Sequence, residues 1–167
     1  MTQAMDDRQI QLDRMRYIKN TASSRLCYLA ILLNVLYFIS IYKSDVGSWY
    51  YQILVGGSIV YNLLFMLMTF LASEGVKSYQ ASYSILLYVL GVLQAARIFI
   101  LPMQAHAARI SIGGVETAVM GDAQFIRVVI YLAGSAVCLI AAAVINQRKC
   151  RALEKHLESL RTGKEAA

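Results

Sequence analysis

Residues 128–147 read VVIYLAGSAVCLIAAAVINQ, a run of 20 positions without a charged side chain. A helix that crosses about 30 Å of hydrocarbon needs about 20 mostly apolar residues. A soluble helix of that length would expose one polar face to water. Three more uncharged runs occur, with 17 residues at 26–42, 28 at 46–73 and 19 at 78–96. The sequence therefore predicts four transmembrane helices, at about 26–42, 50–72, 81–101 and 125–145.

The composition agrees with a membrane protein. Hydrophobic residues make up 58% of the 167 residues and charged residues 16%, against roughly 45–50% and about 25% in soluble domains. These figures exclude a disordered chain, a coiled-coil rod and a disulfide-stabilised miniprotein, and they disfavour a soluble enzyme. A segment such as LLFMLM at 63–68 lacks the polar–apolar alternation of a barrel strand. We predict an all-α integral membrane protein, a four-transmembrane-helix bundle with amphipathic N- and C-terminal cytoplasmic helices.

Basic residues indicate how the bundle is oriented. With four spans, both chain ends and the short loop that contains Lys77 lie on one side, and this side carries twelve Lys and Arg residues. The opposite side and its helix ends carry four: Lys43, Arg97, Arg109 and Arg127. Because cytoplasmic loops are enriched in Lys and Arg, both termini are predicted to be cytoplasmic. The expected location is the plasma or cytoplasmic membrane.

The two ends of the chain have amphipathic patterns. Residues 1–25 are expected to form an interfacial helix, and residues 146–167 a helical extension with a frayed tip. Leu153, Leu157 and Leu160 continue a 4-3 spacing that predicts a docking seam for a cytoplasmic partner, although the seam is too short for a coiled coil. The alternative is that both helices lie on anionic lipid head groups or on each other.

Two amides are predicted near the middle of the membrane. Asn34 lies in the first span and Asn62 in the second, with Ser58 one turn away. Because an unsatisfied amide in hydrocarbon costs several kcal/mol, each side chain needs a partner. We expect Asn34 to bond to Asn62 or to a backbone carbonyl. A solute pathway along this seam is the alternative.

A basic pair near the outer ends of spans three and four is the most unusual feature. Arg97 follows Gln94 on the same helix face, and Arg127 lies at a similar depth. We expect Arg97 to point into the protein, and Asp122 is the first candidate acid for Arg127. The alternatives are snorkelling to the interface and an anion or lipid site. The outer loop at 102–124, between spans three and four, is expected to contain a short helix over 115–120.

No sequence motif points to catalysis. The chain has no nucleophile elbow, HExxH or phosphate-binding motif, and no acidic residue lies within a predicted span. We therefore expect no enzyme activity, cofactor or metal, and we exclude nucleic acid as a partner because the basic ends are ordinary for a membrane protein. Small residues at Gly91 and Ala95, and at Gly134, Cys138 and Ala142, predict close helix contacts.

Two functions fit these features. The first is a non-catalytic accessory subunit that packs against and stabilises a larger membrane complex, such as a transporter. The second is a small homo-oligomeric channel or carrier for an anionic or lipid-like solute. The expected partners are the lipid bilayer, anionic lipid head groups, and other membrane subunits or further copies of the chain. Assembly state discriminates between the two functions.

Overall fold

A computed structural model describes residues 19–41, 49–112 and 115–165 of the chain. In chain order the elements are α1 (Thr21–Ile41), α2 (Trp49–Lys77), α3 (Ser82–Ile100), α4 (Pro102–Ala107), β1 (Arg109–Ile112), β2 (Val115–Ala118) and α5 (Asp122–Glu165). Four helical segments are long and apolar enough to cross a membrane: Thr21–Ile41, Gly56–Lys77, Ser82–Ala107 and Asp122–Ser159. The prediction of a helical bundle with four helices long and apolar enough to span a membrane is confirmed.

The helices extend beyond the uncharged runs. Helix α1 begins before Arg25, which is exposed, and α2 continues through the exposed Glu74 to Lys77. Charged side chains on an outward face do not interrupt a helix at the membrane edge, so the uncharged runs marked the spans but not the helix ends. The predicted N-terminal helix lies largely outside the described residues, since the description begins at residue 19.

Two local motifs fix the end of the bundle that contains Lys77. Asn20 caps α1, because its Oδ1 atom accepts a hydrogen bond from the Ser23 backbone N–H at 3.5 Å. Helix α2 ends at Lys77, and the second residue after it, Tyr79, has a left-handed backbone (φ 56°). The backbone N–H groups of Tyr79 and Gln80 bond to the carbonyls of Val76 and Gly75, as in a Schellman motif. This tight turn aligns α2 and α3 as antiparallel neighbours in the chain.

Helix α5 is the centre of the bundle. It packs along α1 and α3, and α1 also packs on α2, whereas α2 and α3 contact each other only sparsely. The predicted close contacts join α5 to its two neighbours. A Cβ atom at Gly91 of α3 would lie 2.9 Å from Ile140 Cγ1 of α5, and one at Gly134 of α5 would lie 3.2 Å from Leu33 Cδ1 of α1. The sparse contact between α2 and α3 leaves a cleft between these two helices.

Many large apolar side chains lie on the outer surface of the bundle. Each of the four long helices carries large hydrophobic side chains that are exposed, among them Leu32, Leu63, Ile85, Val92 and Val137. A soluble monomer rarely exposes large contiguous apolar patches. Exposed apolar side chains on every long helix are typical of a bundle that spans a membrane.

Four buried polar residues and the half-buried Lys149 join three helices at the Lys77 end. We call this group the basal cluster: Asn20, Ser23, Ser84, Asn146 and Lys149. Asn20 Nδ2 donates to Asn146 Oδ1 at 3.0 Å, and Asn146 Nδ2 donates to Ser84 Oγ at 2.9 Å. Lys149 Nζ donates to Asn20 Oδ1 at 3.0 Å. The start of α1, the first turn of α3 and residue 146 of α5 therefore lie at one end of the bundle. Which side of the membrane this end faces stays a prediction from the charges.

The outer segment differs from its prediction. The helix expected over 115–120 is wrong, because Val115–Ala118 forms strand β2, antiparallel to β1 with Arg109 opposite Ala118. Both strands are rich in β-branched residues, which favour an extended backbone. The helix in this segment lies earlier, at Pro102–Ala107, where proline occupies the first turn.

Candidate intramembrane binding site

Arg97 is buried inside the bundle. Its residue surface is only 5% exposed. The guanidinium donates from Nη1 to Asn62 Oδ1 at 2.7 Å and from Nη2 to Ser58 Oγ at 2.5 Å, and a longer contact of 3.5 Å joins Nη1 to Asn34 Oδ1. The side chain therefore does not snorkel to the surface, and these neutral oxygens on α1 and α2 accept its hydrogen bonds.

Two tyrosines and a glutamine complete the surroundings of the cation. The guanidinium carbon lies 4.4 Å from the Tyr37 ring centroid and 4.7 Å from that of Tyr61, within cation–π range. Gln94 Nε2 donates to Asn34 Oδ1 at 2.9 Å, and the Tyr61 hydroxyl donates to Gln94 Oε1 at 3.5 Å. We call this group the arginine cluster: Asn34, Tyr37, Ser58, Tyr61, Asn62, Gln94 and Arg97.

Helical spacing brings the arginine cluster together from three helices. Asn34 and Tyr37 on α1 are three residues apart, as are Gln94 and Arg97 on α3, and residues 58 and 62 on α2 are four apart. Residues at these spacings share one helix face. Once each helix turns its polar face inward, the faces meet at a common depth. Burying a cation costs about 2.5–3.5 kcal/mol at a helix centre, which hydrogen bonds and cation–π contacts offset.

The arginine cluster has more donors than acceptors. The side-chain oxygens of Asn34, Asn62 and Ser58 all accept hydrogen bonds from Arg97, which fixes the orientation of both amides. Within the described residues, the Nδ2 atoms of Asn34 and Asn62 are buried without a hydrogen-bond partner. A group that supplied further acceptor oxygens would satisfy them.

The two predicted asparagines meet through the arginine. We expected Asn34 to bond to Asn62 or to a backbone carbonyl, but both amide oxygens converge on Arg97 Nη1 instead. The long Arg97 side chain reaches between the helices, and its charge makes it the stronger donor. Tyr61 had not been predicted as part of the site, although its position beside Asn62 in an apolar run was a usable signal.

The other predicted members of the outer site lie elsewhere. Arg127 is exposed and makes no hydrogen bond or ion pair within the described part of the chain. Asp122 lies near His106 instead, with 3.9 Å between the carboxylate and Nε2. His106 stacks on Phe125 with ring centroids 4.4 Å apart, so it is packed against α5 and joins α4 to that helix. Arg97 and Gln94 thus belong to the arginine cluster, whereas Asp122 lies beside His106.

A cleft of about 500 Å³ lies beside the arginine cluster, between α2 and α3. Its lining is mostly apolar and consists of Ile53, Gly57, Ser58, Tyr61, Leu93, Ala96, Arg97, Ile100 and Leu101. Ile53, Leu93 and Ile100 are 55%, 46% and 51% exposed. The cleft therefore opens on the exposed apolar surface of the bundle, and Arg97 and Ser58 are among the residues that line it.

The predicted docking seam lies on the last part of α5. Leu153 is half-buried, whereas Leu157 is 56% exposed. The side chain of Leu160 lies outside the described residues. Within the described ranges, no three His, Cys, Asp or Glu side chains are grouped so that they could hold a metal ion.

Comparisons with family models, with curated proteins and with solved structures find no match for this chain. The four long apolar helices are typical of a multi-pass helical membrane protein.

Proposed function

We propose that this protein is a non-catalytic integral membrane subunit that binds and stabilises a larger membrane assembly, such as a transporter. In this proposal the protein lies in the plasma or cytoplasmic membrane with both termini in the cytoplasm. The observation that carries the proposal is the unbroken helix α5, which continues past the bundle and leaves a leucine of its seam uncovered.

The length of α5 supports a projecting handle. Its 44 residues span about 66 Å at 1.5 Å per residue, about twice the thickness of the hydrocarbon core. A helix that turned to lie on the membrane surface would need a break at the interface, and α5 is helical throughout Asp122–Glu165. Continuation of a membrane span favours projection into the cytoplasm, where Leu153 and Leu157 are available to another protein.

The interior of the bundle supports binding over conduction. Phe65 on α2, Leu87 on α3 and Leu139 on α5 are all buried. Along the chain, Phe65 and Leu87 lie between the arginine cluster and the end of the bundle that contains the basal cluster. These apolar side chains belong to one packed core. A polar solute moving through a single copy of the bundle would have to displace this layer.

The alternative function is a homo-oligomeric channel or carrier for an anionic or lipid-like solute. The observation in its favour is the position of Arg97 in the wall of a cleft at the bundle surface. In an oligomer, such a cleft could line a path between copies. The two functions differ in what they predict for the composition of the purified assembly.

The test is purification of the tagged full-length chain in mild detergent, followed by mass spectrometry and a mass measurement of the assembly. We expect a different membrane protein at fixed stoichiometry with the wild type. A Leu153→Ser, Leu157→Ser double variant should lose it, because the seam loses its apolar contact area.

The matched control is Glu154→Ser with Lys155→Ser, which changes two exposed residues of the same helical stretch and leaves the net charge unaltered. This control should retain the partner. A defined homo-oligomer without a second kind of chain would overturn the accessory-subunit proposal and favour the alternative. Equal recovery with the seam variant and the control would overturn the role of the seam.

A further inference from the structure

The cleft between α2 and α3 is mostly apolar, and Arg97 is the charged residue among those that line it. Its volume of about 500 Å³ lies within the range of roughly 300–1,000 Å³ that is typical of small-molecule sites. Gly57 contributes no side chain, and a Cβ atom placed there would meet nothing within 4 Å. The space next to Arg97 therefore exists partly because α2 carries a glycine at this position.

The polar wall of the cleft favours an acceptor group. Arg97 and Ser58 line the cleft, and the buried Nδ2 atoms of Asn34 and Asn62 belong to the same arginine cluster. Of these groups only Arg97 and Ser58 line the cleft, and a guanidinium and a hydroxyl can both donate hydrogen bonds. Carboxylate and phosphate oxygens match such donors best, because they only accept hydrogen bonds when ionised and they carry the complementary charge.

The apolar wall favours a hydrocarbon chain over a protein helix. One turn of an α-helix with its side chains fills about 400 Å³, taken as a cylinder about 10 Å wide and 5.4 Å long. A cleft of about 500 Å³ would thus accept little more than a single turn. An alkyl chain, in contrast, can lie along Ile53, Leu93 and Ile100, which are exposed at the surface of the bundle.

We propose that the cleft binds an acidic amphiphile, with its anionic head group against Arg97 and Ser58 and its alkyl chain along the apolar wall. The head group is a carboxylate, as in a free fatty acid, or a phosphate, as in a lysophospholipid. This site is separate from the seam on α5, so the binding proposal does not depend on the accessory-subunit proposal.

The experiment measures ligand retention by native mass spectrometry of the full-length protein, purified in mild detergent and then titrated with three probes of the same chain length. Oleate supplies a carboxylate, oleoyl lysophosphatidate supplies a phosphate, and oleyl alcohol supplies neither charge. We expect at least one acid to bind about tenfold more tightly than the alcohol, which corresponds to a difference of about 1.4 kcal/mol in binding free energy. Preference for oleate identifies a fatty acid, and preference for lysophosphatidate identifies a lipid phosphate.

Two glycine variants localise the binding. Gly57→Leu places a side chain in the cleft, whereas Gly56→Leu changes the neighbouring exposed glycine, which does not line the cleft. Neither new Cβ atom meets another atom within 4 Å, and leucine favours a helix more than glycine does, so both variants should fold. Gly57→Leu should weaken retention of the acid about tenfold, and Gly56→Leu should behave as wild type.

Arg97→Lys tests the head-group contact, because an ammonium keeps the charge but lacks the planar fork. The variant should bind the two acids more weakly than wild type and should bind oleyl alcohol with the same affinity as wild type. Equal binding of acid and alcohol, failure of every probe to bind, or equal retention by the two glycine variants would overturn the proposal. A co-purifying protein that is lost with Gly57→Leu and kept with Gly56→Leu would also overturn it, by identifying a protein occupant.

Discussion

Ser58→Ala is expected to lower the free energy of unfolding by about 2 kcal/mol, because it removes one oxygen that stabilises a buried cation. Ser58 Oγ accepts a hydrogen bond of 2.5 Å from Arg97 Nη2. A hydrogen bond to a charged group contributes about 1.5–3 kcal/mol, and alanine offers no replacement acceptor. The substitution removes one atom and creates little cavity, so the polar contact dominates the change.

Ser24→Ala is the matched control, since it is the same substitution at another buried serine. Ser24 is 2% exposed, and within the described residues its Oγ atom has no hydrogen-bond partner. Its removal should leave stability unchanged or raise it by up to about 1 kcal/mol, because an unsatisfied hydroxyl is lost from the interior. Equilibrium unfolding of both variants in mixed micelles gives the two free energies. Equal effects of Ser58→Ala and Ser24→Ala would refute the reasoning.

Two further predictions concern the membrane topology and the packing of the helices. A cysteine introduced at Ser78 should react only with reagents that reach the cytoplasm. A cysteine introduced at Gly113 should react with a membrane-impermeant reagent applied outside. Labelling of position 78 by that external reagent would contradict the predicted orientation. Gly91→Leu should cost about 1–3 kcal/mol of stability, because even its Cβ atom would lie 2.9 Å from Ile140 Cγ1. Gly56→Leu, with open space around it, should cost nothing, and equal stability of the two variants would contradict the close contact of α3 with α5.

The spans could be predicted from the sequence because hydrocarbon imposes one simple rule, the absence of charge over about 20 residues. The helix ends could not, since an exposed charge such as Arg25 continues a helix at the membrane edge as readily as an apolar residue does. The β-hairpin could not be predicted because each strand has only four residues. Over so few residues, the alternation of polar and apolar side chains in a strand cannot be distinguished from the pattern of a helical turn.

The arginine cluster was predicted in part. The cost of burying Arg97 predicted that the side chain points inward, and the amides of Asn34 and Asn62 were recognised as polar groups that need partners. Their convergence on one guanidinium depends on the rotation of three helices about their axes, which no local pattern specifies. Tyr61 joins the cluster for the same reason. The cleft follows from the sparse contact between α2 and α3, a property of the packed bundle alone.

The inward placement of Arg97 is tested most directly by a double-mutant cycle with Asn62. The unfolding free energies of wild type, Arg97→Met, Asn62→Leu and the double variant are measured in the same micelles. The 2.7 Å bond between the two side chains predicts a coupling of about 1.5–3 kcal/mol. Asn62→Leu should then be destabilising when Arg97 is present and neutral or stabilising in the Arg97→Met background, where it only removes an unsatisfied amide. Additive effects, within about 0.5 kcal/mol, would contradict a buried guanidinium held by Asn62.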